Sequence, residues 1–401
     1  MIDNNDRYGS EYSYDQRGNL TQISRKGMYD TNGCANYGIT DLLVLNYASN
    51  TNQLTDVTDY APNASDQEGY DDPGSNTNQY DTNGNMTHYP DKGITIQYNH
   101  LNLPKVVSFT GTSNFITFTY DAAGNLLRRQ NYNFSTPTKT IDYIGGIEYI
   151  DGEIHQVMHS EGYVQYTNGA NPQYHYTIND HLGNTRLVYC DFNENGEIED
   201  ATEIVQENHY YPFGLKMKGP WMGDENAYRY KYNGIEEVDD FGLDLSFATF
   251  RTLDPAIGRW LQIDPKVEHD FSSSPYSSMY NDPIFFNDPD GDCPVCPFLV
   301  AAAVGGLVNI GSQALKGNVG SFSEGLGYFA SGAVSGVSDF LAPGSGRLVQ
   351  PLLNKTQQSI QGDFSFSDLN TVGDWAGFAF DVGTDALSGG TSGITKAIVS
   401  R

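Results

Sequence analysis

Apolar and polar residues alternate along ITIQYN (94–99) and FITFTYD (115–121), with no proline in either run. Period two is the mark of a half-buried β-strand. Three segments share a second pattern: YDQRGNLTQI (14–23), YDTNGNMTHY (80–89) and YDAAGNLLRR (120–129), which is Y-D-x-x-G-N-[LM]. Its Tyr and its Leu or Met lie six apart, so an intervening turn can pair their strands. The Asp is expected to accept backbone N–H groups two or three residues on. Gly18, Gly84 and Gly124 can take positive φ without a Cβ clash. Each unit predicts a hairpin with aromatic side chains, and stacked neighbours supply the burial that one hairpin lacks. Strand-like segments continue through residues 140–235. Residues 236–291 mix turns with Asp-Pro steps at Asp254, Asp264, Asp282 and Asp288. Beyond 298 the chain turns rich in Gly, Ala, Ser and Val, with short apolar helices expected at Leu299–Gln313 and Thr371–Leu387.

Composition agrees with this picture. The chain has 401 residues, with 28 Tyr and 20 Phe against 3 Trp, so it is too aromatic to be disordered despite 43 Gly. Its formal net charge is -28, which disfavours a nucleic-acid partner and an anionic membrane surface. That charge is uneven: residues 292–401 hold eight acids and five bases, leaving -25 on residues 1–291, and all eight His lie before 292. A boundary near Gly291 follows. Three regions are expected: a Tyr-Asp repeat region at 1–135, a second β region at 136–291, and a separate tail at 292–401. Four Cys are too few for a disulfide scaffold. No signal peptide is visible at the N-terminus, and the longest nearly apolar run, Pro297–Val308, is too short for a stable membrane span.

Three groups carry candidate chemistry. DFNENGEIE (191–199) places oxygen-bearing side chains at Asp191, Asn193 and Asn195, then Gly196 and Glu199, with the spacing of a calcium loop. Position twelve is Thr202 with Glu203 beside it, and no amphipathic helix flanks the segment, so an Asn-Gly hairpin is the competing reading. CPVC (293–296) has neither the Cys nor the His partners that a zinc site needs; a redox or structural disulfide, or plain junction residues, remain open. His181 and His209 read as structural, the latter on a strand with Tyr211. The Asp-Pro steps are ordinary turn starters in their own right.

The segments NDHLGNTRLVY (179–189), ENHYYPFGL (207–215), YRYKYNGIE (228–236), FRTLDPAIGRWLQIDP (250–265) and YNDPIFFNDPDG (280–291), together with the Tyr-Asp units, resemble the C-terminal part of the RHS/YD-repeat family and its repeat-associated core. The resemblance covers residues 12–291. It implies a mainly β fold in which hairpins form a curved or spiral sheet around a variable, partly helical C-terminal polypeptide. It implies a bacterial scaffold at the cell surface or outside the cell, of the kind found in polymorphic toxins. An immunity protein for the tail would be a partner. In self-cleaving members the resemblance implies an aspartic-protease-like site, carried here by Arg251, Asp264 and Asp288, that frees the tail just after residue 291. This sequence departs from the family where Asp292, rather than an apolar residue, follows Gly291. Three functions therefore stand: a structural scaffold, a self-cleaving toxin carrier, and a carbohydrate- or surface-binding module. The few repeats predict an open first edge that self-associates or pairs with further N-terminal repeats.

Overall fold

The computed structural model describes residues 7–292 except 32–33, 62–68, 71–73, 75–76, 168–170, 222, 224–226 and 270–272. It also describes short helical stretches between 306 and 335. The chain divides into two compact units, Met1–Pro294 and Val295–Arg401. In the second, helical residues are described within 306–313 and 327–335; the CPVC segment and the expected helix at 371–387 lie outside the described residues. No helix among the described residues is long and apolar enough to cross a membrane.

The first unit is antiparallel β structure. Among the described residues, four strands from Ser10–Tyr14 to Leu54–Asp59 form one sheet in chain order. Thirteen more, from Gln79–Tyr80 to Ile204–Glu207, form a second, also in chain order. The backbone N–H of Asn78 donates to Thr55 O at 2.8 Å and links the two. Strands Leu126–Asn133 and Thr136–Ile144 pair directly with each other, so the sheet crosses residue 135 without a break. Strand Ser10–Tyr14 pairs on one side only among the described strands. Three Tyr hydroxyls in or beside this strand reach residues far along the chain: Tyr8 to Lys218 O at 2.8 Å, Tyr12 to Pro212 O at 3.2 Å and Tyr14 to Asn281 O at 3.5 Å.

The repeated turn has one geometry. Tyr14 pairs with Leu20, Tyr80 with Met86 and Tyr120 with Leu126, each beside a register shift. Asp15 Oδ1 accepts the N–H groups of Arg17 and Asn19, and Oδ2 accepts the Asn19 amide. Asp81 and Asp121 do the same, and so does Asp180 in the DHLGN segment. The acceptor thus reaches two and four residues on, one residue further than the usual Asx turn, because the bulge adds a residue to the loop. Tyr98–Pro104 is the same turn with Asn99 in place of Asp and Asn102 at φ 60° in place of Gly.

Stacking rests on the tyrosines. The hydroxyl of Tyr47 donates to Leu20 O at 2.7 Å, Tyr80 to Leu54 O at 3.2 Å, Tyr98 to Met86 O at 2.7 Å and Tyr120 to Pro104 O at 2.9 Å. Each acceptor is the first residue of a strand in the preceding hairpin, a carbonyl at a register shift where the ladder is interrupted. Each Tyr satisfies that carbonyl while its ring is half-buried or better against the core, which suits an amphipathic side chain.

One core joins the hairpins to the segment that follows them. Leu20, Ile23, Leu43, Met86, Ile94, Val107 and Ile116 from the sheets pack with Phe213, Val238, Leu245, Ile257 and Leu261. The turns dock as well: Asn281 Nδ2 donates to Gly18 O at 2.9 Å and Tyr276 Oη to Gly84 O at 2.8 Å. Gly84 has φ 83°, and a Cβ there would come within 2.4 Å of Ile263 Cδ1, so both conformation and space require glycine. His209 does not lie on a strand. The chain turns at Pro212–Gly214 with the buried Phe213 at φ 72°, and the expected alternation with Tyr211 is lost. His209 instead contacts Glu207 at 2.9 Å and stacks near Trp221.

A buried charge network fixes the sheet to residues 229–240. Arg229 bonds Glu148 and, at 2.9 Å, Glu236; Tyr143 also donates to Glu236. Arg129 lies 2.9 Å from Asp240, which also holds Lys139 at 3.2 Å. Burial by itself raises Glu236 and Asp240, but the facing Arg129, with Arg229 on Glu236 and Lys139 on Asp240, holds both below their ordinary values of 4.5 and 3.8. Carboxylates depressed in the fold stabilise it above their unfolded values and lose that contribution as pH falls through the folded ones. The melting temperature is therefore expected to hold down to about pH 4.5 and to drop steeply below it. A melting series between about pH 7 and about pH 3 checks this, and a flat profile would contradict the network's role.

Candidate functional site

Three distant pieces of sequence meet around Arg251. Arg251 precedes strand Thr252–Asp254, Asp264 follows strand Arg259–Trp260, and Asp288 begins the DPDG turn. One guanidinium nitrogen, Nη2, lies 2.9 Å from Asp264 Oδ2 and 2.9 Å from Asp288 Oδ2. Nε donates to the carbonyl of Gly291 at 2.5 Å. The guanidinium stacks 4.7 Å from the Trp260 ring, which is fully buried among Tyr232, Leu253 and Met279. Burial pushes Arg251 below its ordinary value, while Asp288 and Asp264 act to raise it. It stays a cation in neutral water.

The two acids differ in access. The Asp288 side chain is 0% exposed and the Asp264 side chain 17%, so solvent reaches the pair from the Asp264 side. Asp288 Oδ1 accepts the N–H groups of Gly291 at 3.0 Å and Asp292 at 3.1 Å. Asp264 Oδ1 accepts the N–H of Lys266 at 2.7 Å. Each acid therefore caps its Asp-Pro turn with one oxygen and meets Arg251 with the other. Turn-starting and membership of the cluster turn out to be compatible roles. Asp254 stands apart: it caps Ala256 and accepts the Tyr89 hydroxyl at 2.8 Å.

The peptide after Asp288 is held on both sides. Thr249 Oγ1 donates to Asp290 Oδ1, and Phe250 N–H to Asp290 O. Gly291 has φ 74°, and a Cβ there would press on Ala248 and Arg251 at 3.1–3.3 Å. Asn287 Nδ2 donates to Leu182 O at 3.0 Å, and His181 Nε2 lies 3.0 Å from Ile284 O. The DHLGN turn thus buttresses the segment that carries Asp288. Arg251 Nη1 is buried with no hydrogen-bond partner.

The second candidate group folds as a closed loop. Asp191 accepts the N–H groups of Asn195 and Gly196 at 3.1 and 2.8 Å, and Asn193 Oδ1 accepts Asn195 N–H at 2.9 Å. The amides of Asn193 and Asn195 point at Glu199, at 3.3 and 3.4 Å. These are the residues that could hold a calcium ion, and their oxygens face backbone and amide donors. Among the described residues no group of three or more His, Cys, Asp or Glu is gathered closely enough for a metal. The residue that spacing undervalued is Glu203. It is 1% exposed and accepts the N–H groups of Phe192, Asn193 and Glu199 at 2.9, 3.3 and 3.0 Å. Glu203→Ala is expected to destabilise the protein by about 1–3 kcal/mol in calcium-free buffer. A variant that melts like the parent there, and separates from it only when calcium is added, would point back to a cation.

No protein-family model and no curated protein matches the chain. Several solved structures are similar to it at low identity. The TcdB2-TccC3-Cdc42 crystal structure is 16% identical with a TM-score of 0.48, over 71% of this chain and 15% of that chain. A TcdB2-TccC3 crystal structure is 17% identical with a TM-score of 0.47, over 70% of this chain and 16% of that one. The Photorhabdus luminescens Tc holotoxin pore with a mutated TccC3 is 16% identical with a TM-score of 0.49, over 71% and 15%. The chain spans about 15% of the length of these matched chains.

Proposed function

We propose that this protein is a β scaffold that carries a separate C-terminal polypeptide and cuts the peptide between Gly291 and Asp292. The observation that carries the reading is the shared Arg251 guanidinium. It holds Asp264, Asp288 and the Gly291 carbonyl at once. The motif resemblance to RHS-type proteins points the same way, and so does the position of the peptide three residues before the limit of the first compact unit.

The chemistry follows from the contacts. A water on the open side gives one proton to Asp264, and its oxygen bonds to the Gly291 carbonyl carbon. Negative charge grows on the carbonyl oxygen, where Arg251 Nε already donates; a preset donor at that position lowers the barrier. The Gly291–Asp292 C–N bond then breaks. The leaving nitrogen, whose N–H already points at Asp288 Oδ1, takes up the proton released by water. Peptide plus water gives a carboxyl group on Gly291 and an amine on Asp292. The buried, paired carboxylates would be costly to hold together without the cation between them.

The test is intact-mass measurement of freshly synthesised full chain over time. Two fragments, residues 1–291 and 292–401, are expected to replace the parent. A chain that stays whole, and stays whole after Asp292→Leu, would leave Asp264 and Asp288 as turn residues of a purely structural scaffold.

A further inference from the structure

Asp292 is the position at which this sequence departs from the pattern it otherwise resembles, because a third carboxylate beside the Arg251 cluster should compete for the same cation. Its surroundings answer that difficulty. Lys266 Nζ lies 2.6 Å from Asp292 Oδ2, with the two side chains 43% and 15% exposed. Lys266 is also the residue whose backbone N–H caps Asp264 Oδ1 at 2.7 Å. The same two-residue step past Asp264 therefore fixes one carboxylate of the pair by its backbone and draws off the competing acid by its side chain. Asp292 lies within electrostatic reach of Arg251, so whichever cation takes its charge affects the cluster.

Resting on the self-cleavage reading above, we infer that Lys266 is a specificity-determining residue that selects an acidic residue after the cut and holds it for cleavage. Lys266 touches the substrate peptide itself, which in this chain is Asp292. Its ammonium neutralises that side chain, so Arg251 remains available to Asp264, Asp288 and the Gly291 carbonyl. It also anchors the residue on the leaving side of the Gly291–Asp292 bond. Chains with an apolar residue at this position would have no use for a lysine here, and the two positions should vary together as a pair.

The experiment follows cleavage by intact mass during cell-free synthesis of the full chain. It compares the parent with Lys266→Ala, Asp292→Leu, the double variant, and the charge swap Lys266→Asp with Asp292→Lys. Lys266→Ala is expected to slow cleavage roughly two- to fivefold, the rate equivalent of one half-exposed ion pair. In the Asp292→Leu background the same substitution should have no effect, and the charge swap should recover most of the parental rate. Lys266→Ala cleaving at the parental rate would overturn the inference while leaving the protease reading intact. Equal slowing in both backgrounds would also overturn it, since Lys266 would then act only by supporting the fold. A parent that is cut slowly but accelerated strongly by Asp292→Leu would show that Lys266 fails to neutralise the acid. If neither the parent nor Asp292→Leu is cut, the cleavage reading itself falls and this inference falls with it.

Discussion

Asp264→Asn is expected to leave the protein folded and stop its cleavage. The substitution keeps an oxygen that can still cap the Lys266 N–H, and it nearly keeps the volume, but it removes the solvent-reachable base. Circular dichroism and melting temperature should stay close to the parent while the fragments disappear. Arg251→Ala acts differently. It leaves Asp288, fully buried, without its cation and the Gly291 carbonyl without its donor. Breaking a buried pair from one side costs about 3–5 kcal/mol, so this variant should lose both cleavage and stability. Arg251→Lys separates the two effects. It keeps a positive charge but lacks the planar fork that serves three acceptors. Fold should largely survive while cleavage falls. Parental cleavage in Asp264→Asn would sink the proposed chemistry whatever the other variants did.

Removing Arg25 should have an effect of similar size on stability alone. Arg25 is fully buried at the centre of the first sheet, with Nη1 2.8 Å from Asp41 Oδ2 and Nη2 on the carbonyl of Ala256. Asp41 in turn accepts the Tyr70 N–H at 2.7 Å through its other oxygen. One ion pair thus ties strands Leu20–Thr31 and Cys34–Tyr47 to a turn some 230 residues further along the chain. Arg25→Ala leaves Asp41 buried and uncompensated, at a cost of about 3–5 kcal/mol. Replacing both partners, Arg25→Met with Asp41→Leu, should cost less, because neither charge then remains in the core. The Tyr70 N–H would still lose its acceptor, which sets a floor on the recovery. Denaturant unfolding of the two variants checks the order. A single variant within about 1 kcal/mol of the parent, or a double variant worse than the single, would contradict it.

How much of this was legible beforehand depends on the distance over which each contact acts. The D-x-x-G-N turn was readable because its contacts span at most four residues, from Asp15 to Asn19 and at the three equivalent places. Alternation over 94–99 and 115–121 gave strands for the same reason: a two-residue period needs no knowledge of the partner. The turns at Tyr47 and Tyr98 carry no such signature. They became recognisable as repeats only through the Tyr hydroxyls that reach the preceding hairpin. The expected division at 135 followed a change in motif, yet backbone hydrogen bonding does not register side-chain motifs, and the sheet continues across it.

The chemistry divides along the same line. Sequence supplied Arg251, Asp264 and Asp288 as residue types in a familiar order, and the turn-capping half of each acid is local. That one guanidinium nitrogen joins both acids was decided by the docking of residues 251–291 into a common core with Trp260. The roles of Lys266 and Glu203 are illegible in sequence for a related reason. A lysine two residues after Asp264, or a glutamate one place beyond the expected ligand, has no pattern of its own, and each acquires its role from what the fold sets opposite it. The sequence determined the turns, the alternation and the supply of charged groups, since these depend on neighbours along the chain. Only the tertiary structure decided which charges meet out of water, because burying an ion is tolerable only where the path of the sheet brings its partner to the same point.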